Sequence, residues 1–249
     1  MRHLLSGLAL LITTLASAPQ AGAVGCQPLD HDGNRYIVCE VDATEEDMRL
    51  FRSDSSGTPY GHFSTLKTEL ARDGRDLEFA MNAGMYHEDR SPVGLYVEDG
   101  REDMRVISSP GPGNFGLLPN GIFCIGKDWA RVYETRDFLT RQPQCHFATQ
   151  SGPMLVIDGA LHPRFLPDST SRYIRNGVGT SADGRRTFFA ISKNTVTFHE
   201  FARLFRDILK VPNALFLDGN ISRLYAPQVG RADLGRRMGP IVAVTVPAR

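Results

Sequence analysis

Asn213-Ala-Leu-Phe-Leu-Asp-Gly-Asn-Ile-Ser222 is the stretch on which the reading of this chain turns. Its four apolar residues, 214–217, form a run short enough to be a buried strand. The run stops at a carboxylate, Asp218, and then at Gly219, where the backbone can turn sharply or let a ligand approach it. Just upstream, Thr197-Phe-His-Glu200 has the form of a capping box: the threonine hydroxyl accepts from the amide three residues on, and the glutamate reaches back. Phe201, Leu204, Phe205, Ile208 and Leu209 follow at i, i+3, i+4, i+7 and i+8, one apolar helix face. Pro212 lies where the helix must already have ended. A helix, a short turn, a buried strand and a carboxylate at the rim of the core are therefore expected in succession. Asp-Gly is also a common turn pair, so the local pattern alone gives Asp218 two readings, functional residue or turn former.

The same grammar recurs in both directions along the chain. The sequence predicts strands over 34–42 and 48–52, and a helix marked by Phe63, Leu66 and Leu70 that stops at Asp73-Gly74. An apolar strand over 77–81 runs into Asn82-Ala-Gly-Met-Tyr86. A hairpin series is expected next, because Asp-Gly and Asn-Gly between β runs are the strongest short hairpin signal. It comprises 93–97 turning at Asp99-Gly100, 115–118 turning at Asn120-Gly121 into 122–125, and 154–157 turning at Asp158-Gly159. Asp183-Gly184 should pair the segment 173–179 with the strand 187–192, and strands near 221–225 and 241–246 close the chain. Few helices against many strands predict an α+β fold: a single domain with a mixed, mostly antiparallel sheet and packed helices.

Residues 1–23 read as a signal peptide, with Arg2 and His3 before an apolar run and Ala21-Gly-Ala23 as the cleavage pattern, so the mature domain is expected over 24–249. The run is too short to span a bilayer, which takes roughly 20 apolar residues. A periplasmic or secreted protein without stable membrane insertion follows. Lys and Arg together number 28, as do Asp and Glu, which leaves no basic excess for a phosphate backbone and argues against a nucleic-acid partner. Arg231, Arg236 and Arg237 read as a solvated loop. The four cysteines lack Cys-x-x-Cys spacing, and an even count in an oxidising compartment favours disulfides. Of three connectivities, the sequence-local pairs Cys26–Cys39 and Cys124–Cys145 are expected, each stabilising by roughly 3 kcal/mol.

Polar residues gather beside glycines at strand ends: Asn82 with Gly84, Gln150-Ser151 with Gly152, Arg175 with Gly177 and Gly179, Asp218 with Gly219 and Asn220. Should these ends share one rim, they line a cleft. Arg175 suits a phosphate through its planar fork, and Asp218 suits acid/base work or attack on a sugar carbon. The mature histidines are scattered without ligand spacing; His87, beside the Asn82 turn, is the one placed near the cleft. No Gly-x-Ser-x-Gly, His-Glu-x-x-His or phosphate-loop pattern occurs. No cofactor is expected. A divalent cation is compatible with carboxylates and phosphate, but no ligand cluster requires one.

Five motifs in order, Asn82-Ala-Gly-Met-Tyr86, Gln150-Ser-Gly-Pro-Met-Leu155, Arg175-Asn-Gly-Val-Gly179, Glu200-Phe-Ala202 and Phe216-Leu-Asp-Gly219, resemble the phosphodiester glycosidase family. This group of exported proteins includes the catalytic domain of the lysosomal uncovering enzyme. The resemblance runs from about residue 77 to the C-terminus. It implies one α+β domain with a cleft, hydrolysing a sugar-1-phosphodiester to free sugar and phosphomonoester. Carried over by position, it implies catalytic roles for Asp218, Arg175 and Asn82. Gly84, His87, Gln150, Ser151, Gly152, Gly179, Gly219 and Asn220 are then the substrate-binding set. Glu200 matches the family pattern too, but its capping role accounts for it. Two departures stand out: Asn82-Ala-Gly-Met85 where the family often has Asn-Gly-Gly-Phe, and Asp218-Gly-Asn-Ile-Ser222 where it often has Asp-Gly-Gly-Gly-Ser-Ser. A branched Ile221 restricts the backbone there and reshapes the pocket. The alternative that these departures support is an exported glycan- or envelope-fragment-binding protein using the same cleft without turnover.

Overall fold

A computed structural model describes residues 24–248, so the expected signal peptide lies outside the described residues. In chain order the strands are β1 (Gly25–His31), β2 (Asn34–Asp42), β3 (Asp47–Phe51), β4 (Arg75–Asn82), β5 (Tyr96–Glu98), β6 (Arg101–Met104), β7 (Gly121–Ile125) and β8 (Ala130–Glu134). There follow β9 (Phe147–Ser151), β10 (Met154–Ile157), β11 (Ala160–Leu161), β12 (Asn176–Thr180), β13 (Arg186–Ser192), β14 (Asn213–Phe216), β15 (Leu224–Ala226), β16 (Arg231–Ala232) and β17 (Ile241–Pro247). The α-helices are α1 (Phe63–Arg72), α2 (Thr135–Arg141) and α3 (Phe198–Arg203).

The strands form three sheets, ordered β1-β2-β13-β12-β14-β10-β11, β16-β15-β4-β17-β3 and β6-β5-β9-β7-β8. The expected single mixed sheet is thus replaced by three, and every paired strand among the described residues runs antiparallel. The fold is α+β but dominated by sheet.

Side-chain alternation explains how three sheets share one core. Ile37, Phe189, Phe79, Met81, Phe123 and Ile125 point inward and pack together. Phe189 is the meeting point, its ring 4.9 Å from that of Phe79 on the second sheet and 5.8 Å from that of Phe123 on the third. The alternate residues face outward and are covered again. Val38, Phe188 and Ala190 lie under the helical segment that carries Phe201 and Phe205. Ala80 and Ala243 lie under Phe63, Leu66 and Leu70 of α1, and Ile122 and Ala148 pack with Phe138 of α2. Burial on both faces is why so many of these strands read as continuous apolar runs rather than alternating ones.

The local grammar holds at most punctuation marks. The capping box at Thr197 forms, with Glu200 N–H donating to the Thr197 hydroxyl at 3.1 Å and Thr197 N–H donating to Glu200 at 2.8 Å. The helix it opens departs from the expected single α-helix: after Arg203 it widens into a π-turn, Leu204–Ile208, in which Leu209 N–H donates to the Leu204 carbonyl. The wider turn rotates the face, so Phe201, Leu204 and Phe205 are buried while Ile208 is 43% exposed. The Asp99-Gly100 and Asp158-Gly159 turns form with positive φ at both residues; β12 and β13 pair across Asp183-Gly184, where of the two only the glycine takes positive φ. Asn120-Gly121 does not turn a hairpin. Neither residue takes positive φ, and residues 115–118 are not a strand. The Asn120 amide instead donates to the Phe115 carbonyl at 3.0 Å and accepts from the Thr135 hydroxyl at 2.7 Å. β1, absent from the sequence reading, pairs with β2 through Asp32-Gly33, a turn with the same signature. Both sequence-local disulfides are present, Cys26–Cys39 between cross-strand partners and Cys124–Cys145 between β7 and the segment before β9.

Candidate active site at the sheet ends

β4 of the second sheet and β14 of the first end where β12 of the first begins, and Asn82 joins them. Its side chain is fully buried. The amide nitrogen donates to the Asp218 carbonyl at 2.8 Å; the amide oxygen accepts from Asn176 Nδ2 and from Arg223 N–H, both at 2.9 Å. Asp218 N–H in turn donates to the Ala83 carbonyl at 3.2 Å. The main chain of Asp218 is therefore held on both sides, while its side chain stands part-exposed just past β14. Ser222 extends the network by donating to the Ile174 carbonyl at 3.0 Å, with the Asn176 amide oxygen 3.2 Å from its hydroxyl. Asn82 holds the frame in place: these three side-chain bonds all go to neighbouring protein groups. A Cβ at Gly219 would strike the Phe216 ring, so only glycine lets the chain leave the strand along this path.

Arg175 is 2% exposed. Its Nε donates to the Val196 carbonyl and one terminal nitrogen, Nη2, to the Ser171 carbonyl, at 3.0 and 3.1 Å. The guanidinium carbon lies 3.6 Å from the Phe198 ring centroid and 5.5 Å from those of Tyr173 and Phe216. Phe198 is itself fixed between Phe165, stacked at 5.0 Å, and Phe216, edge-on at 4.8 Å. Among the described residues no carboxylate forms an ion pair with Arg175 and none of its hydrogen bonds uses Nη1. Burial lowers its pKa to about 10, which still leaves it charged at neutral pH. It lines a cavity of about 240 Å³ with Asn114, Tyr173, Phe198, Phe216 and Gly219.

Tyr173 and Gly219 also line an adjoining cavity of about 730 Å³, reaching Ser222, Arg223, Arg231 and Asp233. Arg231, expected on a solvated loop, sits in this wall paired to Asp233 at 2.9 Å. Tyr86 closes the neighbourhood of the carboxylate. Its phenol is pushed up to about 12, first by burial and then by the negative charge of Asp218.

Asp218, Arg175, Asn82 and Gly219 are thus brought to one end of the molecule from widely separated segments. The remaining expected residues divide. Gln150 is buried, its side-chain oxygen accepting from Leu95 and Ile107 N–H and its nitrogen donating to the Ile107 carbonyl and the Thr135 hydroxyl. All of its polar capacity goes to the frame. Gly84 lies tight against Thr149 and the Gln150 carbonyl, and Gly179 faces Phe205 and Val211, so both glycines serve chain packing. Ser151 is fully buried with an unbonded hydroxyl, and Gly152 packs against Asn120 and the Asn114 and Phe115 carbonyls. His87 is exposed on the turn after Tyr86. The Asn220 side chain lies outside the described residues. Asn176, Arg223, Tyr86 and Tyr173 were not singled out as site residues from the sequence, although Tyr86 and Asn176 lie within the motifs that carry Asn82 and Arg175.

Comparisons with known proteins bear on the fold and the family of the chain. The chain is 34% identical over 185 residues to the uncharacterised protein YigE of Escherichia coli (strain K12), covering 74% of this chain and 72% of that one. Its fold matches the catalytic domain of zebrafish N-acetylglucosamine-1-phosphodiester alpha-N-acetylglucosaminidase, auto-inhibited by its pro-peptide, at a TM-score of 0.60 and 15% identity. That alignment covers 89% of this chain and 81% of the zebrafish chain. A hypothetical protein from Synechocystis matches at a TM-score of 0.57 and 13% identity, over 90% of this chain and 62% of that one. The profile of the phosphodiester glycosidase family matches residues 75–242, from the start of β4 into β17 and across every residue of the candidate site, and the chain belongs to that family.

Proposed function

We propose that this protein is an exported hydrolase that cleaves a sugar-1-phosphodiester to free sugar and a phosphomonoester. The observation that carries this reading is Arg175: a buried guanidinium, charged at neutral pH, with no acidic ion-pair partner among the described residues and a cavity in front of it. A buried cation is costly unless an anion meets it, and a phosphodiester is an anion of the right shape for a planar fork.

In this mechanism Arg175 holds the phosphate, and its charge stabilises the negative charge that grows as the bond breaks. Asp218 either takes a proton from the water that attacks the anomeric carbon, or attacks that carbon itself to form a glycosyl ester that water then cleaves, freeing the sugar and the carboxylate. The bond between the anomeric carbon and the phosphate oxygen breaks, and its electron pair leaves with the phosphomonoester. Phosphate is a good leaving group, so no strong acid is needed opposite Asp218. Asn82 keeps the Asp218 backbone in register with the Gly219 turn. Two disulfides suit an oxidising compartment such as the periplasm or the medium.

The test is to incubate the purified mature protein with sugar-1-phosphodiesters and follow both products. Release that vanishes in Asp218→Asn and Arg175→Ala, with both variants folded, is the expected result. Tight binding of the diester without release would replace the hydrolase by the binding protein.

A further inference from the structure

Arg175 has a counterpart that the proposed reaction does not use. Arg223 is 8% exposed, and burial pushes its pKa down. No carboxylate forms an ion pair with it among the described residues. The acid that acts on it, Asp233, is already engaged by Arg231 at 2.9 Å and by Leu224 N–H at 3.0 Å. The guanidinium makes one hydrogen bond among the described residues, to the Arg236 carbonyl, and Arg223 lines the larger cavity. Its position is fixed, since its own N–H is bonded to Asn82 and the absence of a Cβ at Gly235 admits Nη2. Lys193 lines the same cavity, so cations outnumber Asp233 there.

Volume points the same way. The cavity at Arg175, about 240 Å³, is below the ~300–1,000 Å³ usual for a ligand pocket. Tyr173 and Gly219 line both cavities, so a ligand larger than one compact group can continue past them into the larger one. A second buried cation waits on that path.

We propose that Arg223 is a second anion-binding residue and that the cleft takes a ligand with two separate acidic groups. One is the phosphodiester against Arg175; the other is carried on its alcohol half and meets Arg223. This rests on the hydrolase reading for the identity of the first group only. Two fixed guanidinium groups in adjoining cavities act as a bivalent site, so a ligand that reaches both binds more tightly than either half.

Calorimetric titration of the intact mature chain tests this with methyl phosphate and with linear alkane bisphosphates of two to six carbons. At least one bisphosphate should bind wild type tenfold or more tighter than methyl phosphate. Arg223→Gln should collapse that ratio to near one, and Arg223→Lys, which keeps the charge but not the fork, should restore part of it. A wild-type ratio near one at every length overturns the proposal, and so does a ratio that survives in a folded Arg223→Gln. Because the wild-type ratio alone can decide, a variant that fails to fold does not block the test. Failure of the hydrolase reading shows separately, as absent sugar release beside a retained bisphosphate preference.

Discussion

A second part of the molecule also buries a charge beside a cavity, and it resolves the problem differently. Glu46 lines a space of about 580 Å³ with Met48, Ile125, His146 and Phe147. Burial, reinforced by Glu78 and Asp42, raises its pKa to about 7, against the pull of an N–H from Asp42 at 2.6 Å. A carboxyl in that position can take up a proton and become neutral. Arg175, lowered only to about 10, cannot discharge at any pH the protein meets. A cavity beside a carboxyl is therefore self-sufficient, whereas a cavity beside an arginine implies a partner from outside. Volume does not separate the two, since the space at Glu46 is the larger of these.

The largest effects should fall on turnover at the arginine end. Asp218→Asn is expected to lower kcat by about 10²–10⁴, the usual contribution of a positioned acid or base. Arg175→Met should cost a similar factor, about 10²–10³, in kcat/KM, because it removes the charge that meets the phosphate. Both are read from sugar release under steady-state conditions. Glu46→Gln, by contrast, should leave turnover at the wild-type level. A loss of activity there equal to that of Arg175→Met would erase the distinction between the two cavities.

Stability should separate the frame from the bound group at the same site. Asn82→Ala strands the Asn176 amide, the Arg223 N–H and the Asp218 carbonyl. With about 1–3 kcal/mol for each buried group left unpaired, a total loss of about 3 kcal/mol is expected in urea denaturation. Arg175→Met places an apolar chain of similar length among Phe198, Tyr173 and Phe216 and removes a buried cation that has no acidic ion-pair partner among the described residues. Its stability should equal or exceed that of the wild type by up to about 1 kcal/mol, even as activity falls. A large loss of stability in Arg175→Met would show that the guanidinium holds the fold together rather than waiting for an anion.

How far the sequence reaches can be judged at these same residues. Asp218 and Arg175 are legible because each sits where an apolar strand meets a glycine, and that punctuation is local. Asn176 is not, although it follows Arg175 directly. Its importance comes from pointing to the opposite face and meeting Asn82 across two sheets, and register between distant strands leaves no local trace. Gln150 shows the reverse: its Ser-Gly neighbours give it the look of a rim residue, yet its side chain turns back to bracket Leu95 and Ile107. Asn120-Gly121 fails for a related reason. Asn-Gly signals a hairpin only where both residues are free to take positive φ, and here glycine is needed because Met154 and the Tyr133 carbonyl crowd the position. The three sheets were read as one because each strand's pattern reports that it is buried, not against which partner.

The smallest expected effect also isolates the physical difference most cleanly. The folded pKa of Glu46, about 7, lies above its ordinary value of 4.5, so the unfolded chain gives up this proton first as pH rises. Below about pH 4.5 the group is protonated in both states and costs nothing. Between there and about pH 7 stability drains away, and above pH 7 the penalty is complete and constant. Glu46 is only partly buried, so after allowance for solvent screening the penalty is about 1 kcal/mol. Glu46→Gln keeps an oxygen for the Asp42 N–H and removes the titration. It should raise the unfolding free energy by about 1 kcal/mol at pH 8 and by nothing measurable at pH 4, in urea melts at the two pH values. A gain of the same size at both would mean that packing, not charge, separates the variants. The contrast with Arg175, which stays charged across the pH range of this test, would then lose its basis.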